Sequence, residues 1–327
     1  MNYKSKNLPT AKERGGKEMS FDRLIENIKA KQNPTVAGLD PKLDYIPEYI
    51  RQAAYEKYGK GLEGAAEALF EFNKGLIDAL CDIVPAVKPQ AAYYEMYGWY
   101  GVRTLEKTIA YAKEKGMFVI TDGKRNDIGT TMQAYAKAHL GTTEIEGESV
   151  SAFGADALTV NGYLGTDGVK PLLEICKNDD KGIFILVKTS NPSSGELQDR
   201  KLDDGLTVYR TMGDMCEKWG SDVMGESGYS GVGAVVGATY PEQLGELRKA
   251  LPHTFFLVPG YGAQGGGAKD VAPAFDKNGA GAVINSSRGI MCAWKKENCA
   301  PEEYALAARR EAIRMRDEII SFIGGIK

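Results

Sequence analysis

Met117-Phe118-Val119-Ile120-Thr121-Asp122-Gly123-Lys124-Arg125-Asn126-Asp127 is an apolar, strand-forming run that breaks off into two carboxylates with an ammonium between them. On an extended backbone, side chains two apart share a face, so Asp122 and Lys124 are expected to point the same way. Asp127 falls just past the strand, where the chain turns toward a helix. Packing gives no reason to set opposite charges at a strand mouth, whereas positioning and pKa control of reacting groups do. A second lysine, Lys88, ends another apolar run, Ile83-Val84-Pro85-Ala86-Val87. Together the two mouths predict an alternating Lys/Asp array that works on charge without a metal.

Working outward, runs of the same kind recur at residues 35–40, 83–90, 118–124, 157–162, 183–190, 233–238, 255–260 and 282–287. Amphipathic stretches at 61–80, 101–115, 166–177, 207–220 and 241–251 separate them, and 301–322 closes the series. Strict alternation of strand and helix implies a parallel sheet with right-handed crossovers. Eight units favour an α/β fold of the closed (β/α)8, or TIM-barrel, type over an open doubly wound sheet, and a single domain. No glycine fingerprint opens a helix after the first strand, as a dinucleotide-binding sheet would require. The polar segment 191–207, with Pro192, Ser193, Ser194 and Gly195, reads as a mobile loop of functional length.

The totals agree with a globular enzyme. The chain has 327 residues, 43% of them hydrophobic, and a formal net charge of −3. That balance is unlike a general nucleic-acid binder, and no stretch approaches the roughly 20 apolar residues of a membrane span. Five cysteines, odd in number and without CxxC spacing, read as thiols of a reducing cytosol. The only histidines, His139 and His253, form no metal-ligand pattern, so a zinc enzyme or a Ser-His-Asp hydrolase is disfavoured. Residues 1–18 are polar and rich in Lys and Gly, and read as a disordered leader before a domain at 19–327. They lack the apolar core of a secretory signal.

Active sites of such barrels lie at the C-terminal strand ends. Those ends carry Asp40, Lys88, Asp122 with Lys124, Asn161, Lys188 with Ser190, Gly237, the glycine-rich stretch 260–267, and Arg288. Glycines such as Gly262 and Gly265 let backbone N–H groups crowd an anion. Arg288 adds a bidentate fork after the eighth strand, and a phosphate site after strands 7 and 8 is a recurrent barrel feature. Lys188 reads as structural, or as part of the rim's electrostatics.

These residues resemble the orotidine 5′-monophosphate decarboxylase family, which makes UMP in pyrimidine synthesis. The likeness runs from Met19 onward. It includes Gly38-Leu39-Asp40-Pro41, Val87-Lys88-Pro89, Asp122-Gly123-Lys124-Arg125-Asn126-Asp127-Ile128, Thr189-Ser190-Asn191-Pro192, residues 259–265 and Ser287-Arg288-Gly289. The DxKxxD element is shared with a wider superfamily, while the ordered set is specific. The length and the 191–207 loop resemble the larger bacterial branch.

The resemblance implies a cofactor-independent cytoplasmic decarboxylase that binds no metal and forms a homodimer with shared active sites. It implies that Lys88, Asp122, Lys124 and Asp127 form the charged tetrad, with Asp127 and Thr131 donated across the dimer interface. Asp40 and Lys88 match ribose contacts, Ser190 the pyrimidine contact, and Gln264 with Arg288 the phosphate grip. Ser287 stands where many relatives have glycine.

The chemistry fits independently. Loss of CO2 leaves an sp2 carbanion with no cofactor sink, and Lys124 is placed to stabilise and protonate it. Phosphate binding far from the reacting carbon would drive closure of the 191–207 loop. Two rival enzymes remain. An Mg2+-dependent sugar-phosphate barrel enzyme would place an acid where Lys88 stands, and a Schiff-base aldolase would use a lysine nucleophile. A third alternative is a barrel that only binds a nucleotide.

Overall fold

The computed structural model describes residues 20–262 and 265–327. The expected leader and Gln264 lie outside the described residues. Eight parallel strands close a barrel: β1 Thr35–Leu39, β2 Ala86–Pro89, β3 Phe118–Arg125, β4 Ala157–Val160, β5 Gly182–Lys188, β6 Val232–Val236, β7 Phe256–Val258 and β8 Ala282–Ser286. They pair in chain order, and β1 meets β8 with Thr35 opposite Ile284 and Ala37 opposite Ser286. Both faces of most strands are buried. This explains why the runs read as continuous apolar segments rather than as alternating ones.

The eight expected strands are the eight observed, with shifted ends. β2 starts at Ala86 because Ile83 and Val84 still donate to Leu80 O, at 3.0 and 2.8 Å, closing the helix Leu62–Leu80. The helix expected from 101 begins at Gly98. The helix expected just past Asp127 runs Gly129–His139. Elements not anticipated include the helix Glu48–Tyr58 after β1 and an exposed hairpin of Thr143–Ile145 with Glu148–Val150.

The helix Ser20–Lys31 closes the bottom of the barrel. Phe21 is fully buried, its ring 4.7 Å from Phe184, 5.6 Å from Phe255 and 6.4 Å from Phe118. Gly182 makes room for it, since a Cβ there would lie 2.6 Å from the Phe21 ring. Burying such a ring stabilises the fold by about 2–3 kcal/mol. With the lower end packed and dry, the open end lies at the strand C-termini.

At that upper end the pairing of β2 with its neighbours β1 and β3 continues past its last residue. Gln90 N–H reaches Leu39 O at 3.1 Å, and Ala91 N–H reaches Asp122 O at 3.2 Å. β3, by contrast, breaks register against β4 between Thr121 and Arg125. Lys124 sits in that irregularity at φ 46°, a left-handed conformation costly for a residue with a Cβ. Asp122 and Lys124 therefore meet through a bulge rather than along the regular extended strand the spacing suggested.

The 191–207 segment, expected as a loop, carries some local structure. It contains the 3-10 turn Pro192–Glu196 and a bridge between Lys201 and Thr207. It is fastened to the rim by side chains described below.

Candidate active site

A cleft of about 660 Å³ opens at the strand C-termini. Asp40, Lys88, Asp122, Lys124, Ser190 and Arg288 all line it, so six expected site residues from five different strand ends meet in one place. Leu186, Val235 and Leu257 give it an apolar floor on the β5–β7 side, and the charged groups stand on the β1–β3 side.

Asp122 is the centre of the charged side. Its Oδ2 accepts from Lys88 Nζ at 2.7 Å and its Oδ1 from Lys124 Nζ at 2.5 Å. Thr159, one residue before the end of β4, donates its hydroxyl to the same Oδ1 at 2.9 Å and accepts the Lys124 N–H at 3.0 Å. One threonine thus braces the carboxylate and the unusual backbone of the lysine beside it. Lys88 is 3% exposed. Burial works against its charge, but Asp122 and Asp40 outweigh burial and hold its pKa above the ordinary lysine value. Asp122 is also buried, and burial opposes its ionisation. The two ammonium groups beside it prevail and keep the carboxyl well below the usual carboxylate range. The array is therefore charged throughout its buried part, an arrangement that stabilises developing charge without solvent reorganisation.

On the opposite wall, Thr189, Ser190, Asn191 and Gln198 line the cleft. Gln198 clasps Thr189 at both ends of its amide. Its Oε1 accepts the Thr189 N–H at 2.9 Å and its Nε2 donates to Thr189 Oγ1 at 2.7 Å. Ser190 packs against Gly237, where a Cβ would lie 2.8 Å from it.

Arg288 opens the short helix Arg288–Met291 next to Pro259, Gly260 and Tyr261. The glycine loop is arranged differently from the expected anion cradle. Gly262 N–H donates to Gly266 O at 2.7 Å and Gly265 N–H to Gly262 O at 2.9 Å, so both groups serve the loop's own turn. Tyr261 anchors the loop's root by donating to Glu318 at 2.6 Å.

Asp127, Thr131 and Asn161 do not line the cleft. Asp127 Oδ1 accepts the Ile128 N–H at 2.8 Å, just ahead of the helix carrying Thr131, which is exposed. Asn161 Oδ1 accepts the Tyr163 N–H at 3.0 Å in a local turn. Sequence reasoning missed Thr159, Gln198 and Asn285. Thr159 and Asn285 sit in apolar strands, and a polar residue near a strand's C-terminal end was the available signal. Gln198 gave none, because its partner is set by the loop's fold. Among the described residues no three His, Cys, Asp or Glu side chains are grouped to hold a metal ion, and no helix is long and apolar enough to cross a membrane.

Comparison with known proteins gives a consistent result. The model of the orotidine 5′-phosphate decarboxylase / HUMPS family matches residues 68–300. An orotidine 5′-phosphate decarboxylase of Rhodopirellula baltica is 48% identical over 289 residues, covering 87% of this chain and 93% of its own. A solved structure assigned as an orotidine-monophosphate decarboxylase from Toxoplasma gondii superposes with a TM-score of 0.75 at 30% identity, covering 94% of this chain and 99% of that one. The OMP decarboxylase of Leishmania donovani superposes with a TM-score of 0.67 at 30% identity, covering 91% and 99%.

Proposed function

The chain belongs to the orotidine 5′-phosphate decarboxylase / HUMPS family, and from that premise we propose that it converts orotidine 5′-monophosphate to UMP and CO2 without a cofactor. It is a carboxy-lyase. The observation that carries the reading is the Lys88–Asp122–Lys124 chain, with Asp122 held between two ammonium groups at 2.7 and 2.5 Å. In the reaction the bond from pyrimidine C6 to the carboxylate breaks, the electron pair stays on C6, and CO2 departs. The Lys124 ammonium faces the carbanion and gives it a proton, which water replaces. Asp122 lies against the departing carboxylate, and Lys88 holds Asp122 in place.

Asp40 and Lys88 take the ribose, Ser190 the pyrimidine, and Arg288 with Gln264 the phosphate. Gly262 and Gly265 shape the phosphate loop by permitting its turn, and Asn161 borders the site on the β4 side. The buried Lys88 favours this reading over an Mg2+ enediolate enzyme, because it would repel the metal.

Asp127 and Thr131 complete the site of a second copy in a homodimer. Their absence from their own cleft supports this, as does the apolar surface beside them. Met96 is 64% exposed, Trp99 63%, Ile128 51% and Tyr163 75%, on segments that follow the neighbouring strands β2, β3 and β4. The barrel from 19 to 327 acts as one catalytic domain. A cytoplasmic location fits the five cysteines, all free thiols.

The test is to add orotidine 5′-monophosphate to the purified chain in excess EDTA and follow the orotate absorbance. Loss of the chromophore is expected in the wild type. Lys124→Ala should abolish it while retaining much of the UMP binding. A chromophore that persists, or activity that needs added Mg2+, overturns the proposal.

A further inference from the structure

Lys188 ends β5 and is completely buried, yet it does not line the cleft. Its Nζ donates to Asp199 Oδ1 at 2.6 Å and to Ser194 Oγ at 3.2 Å, and lies 4.3 Å from the centre of the Tyr240 ring. Both hydrogen-bond partners belong to the 191–207 loop. A buried ammonium costs several kcal/mol unless paired. Its neighbours Val187 and Val236 are apolar, so an aliphatic side chain would fill the same space more cheaply. What the charge adds is a fixed direction for Asp199.

Asp199 immediately follows Gln198, whose amide clasps Thr189 beside Ser190. Ser194 Oγ in turn donates to Tyr240 Oη at 3.2 Å, and Tyr240 Oη donates to Asn191 O at 3.4 Å. The loop's grip on the cleft wall therefore runs from Lys188 through Asp199 to Gln198, Thr189 and Ser190.

We propose that Lys188 is a positioning residue whose ion pair with Asp199 latches the 191–207 loop into a fixed wall of the cleft and so sets recognition of the substrate's base. This rests on the reading that the cleft binds orotidine 5′-monophosphate. The chemistry at Lys124 is on the other side of the cleft and is untouched.

Two variants test the latch by two independent measurements. Lys188→Met keeps the volume and removes the charge, and Asp199→Asn removes the partner at a half-exposed position where the fold has little to lose. The first measurement is limited trypsin digestion after Arg200 and Lys201, which are exposed side chains on a backbone held by the bridge to Thr207. Wild type should resist, and both variants should be cut at least about tenfold faster, since cleavage tracks the open population and each 1.4 kcal/mol is tenfold. This readout needs no activity and stands even if the decarboxylase reading fails.

The second measurement is steady-state kinetics. KM for orotidine 5′-monophosphate should rise by about tenfold while kcat stays within about threefold, as for lost positioning of the bound substrate. Variants that are folded, resist trypsin and keep the wild-type KM overturn the proposal. So does a matched loss of kcat with unchanged KM. Should Lys188→Met fail to fold, Asp199→Asn alone decides.

Discussion

Asp122→Asn tests the charged array most directly, because it keeps the shape and removes one charge. Lys88 Nζ and Asp122 Oδ2 are 2.7 Å apart, with side chains only 4% and 10% exposed. Without the carboxylate, the Lys88 ammonium is left in a buried site facing a second ammonium, with Asp40 its nearest remaining counter-charge. Breaking one side of a buried pair costs about 3–5 kcal/mol, and the help from Asp40 places this case near about 3 kcal/mol. In a chain of this size that lowers the melting temperature by roughly 4–5 °C.

The assay is thermal unfolding of wild type, Asp122→Asn and Asp122→Asn/Lys88→Met. The double variant should recover a substantial part of the loss, since it removes the orphaned charge. pH dependence supplies the sign. The Asp122 pKa is depressed in the fold, so its contribution is complete above the ordinary carboxylate pKa of about 3.9 and is lost as pH falls below it. The stability gap between wild type and Asp122→Asn should therefore be full at neutral pH and narrow below about pH 4. A single variant as stable as wild type at neutral pH, or a double variant less stable than the single, would refute the reasoning.

Arg288→Ala should weaken binding of phosphate-bearing ligands by about 2–5 kcal/mol and leave the phosphate-free nucleoside nearly unaffected; equal losses in titrations of UMP and uridine would place Arg288 elsewhere. Mixing inactive Lys124→Ala with inactive Asp127→Ala subunits should restore activity, because each heterodimer has one site with both lesions and one with neither. Confirmed heterodimers without recovered activity would count against the shared site. His139 is buried against Phe153, their rings 4.9 Å apart. Burial, aided by Arg125, pushes its pKa down to about 4. Its contribution is complete above the unfolded value near 6.5 and is lost as pH falls toward 4, by up to about 3 kcal/mol. His139→Phe should flatten the melting-temperature profile over that range, and an unchanged slope would assign the acid sensitivity to other groups.

The barrel was legible because buried parallel strands leave continuous apolar runs whatever their neighbours are. The hairpin at 143–150 was missed because its residues are exposed, so it carries no apolar alternation to read. Asp40, Lys88, Asp122, Lys124, Ser190 and Arg288 could be found because strand ends in this architecture converge on one rim. In 191–207, Pro, Ser and Gly marked a loop but gave no sign of its contacts with Lys188 and Thr189, which no local pattern encodes. The bulge at Lys124 was equally hidden, since its N–H is satisfied by Thr159 on another strand.

The buried Phe21 has a consequence for how the chain reaches its folded state. It lies in the first described helix, yet its partners are Phe118, Phe184 and Phe255, spread over most of the sequence. During synthesis this amphipathic helix emerges early and must remain without its docking surface until β7 has left the ribosome. The barrel itself cannot close until β8 pairs with β1. Nearly all of the polypeptide is therefore needed before this early helix is protected from water. Such long-range contacts slow folding and prolong exposure to aggregation. The first described helix to be made is among the last to be secured.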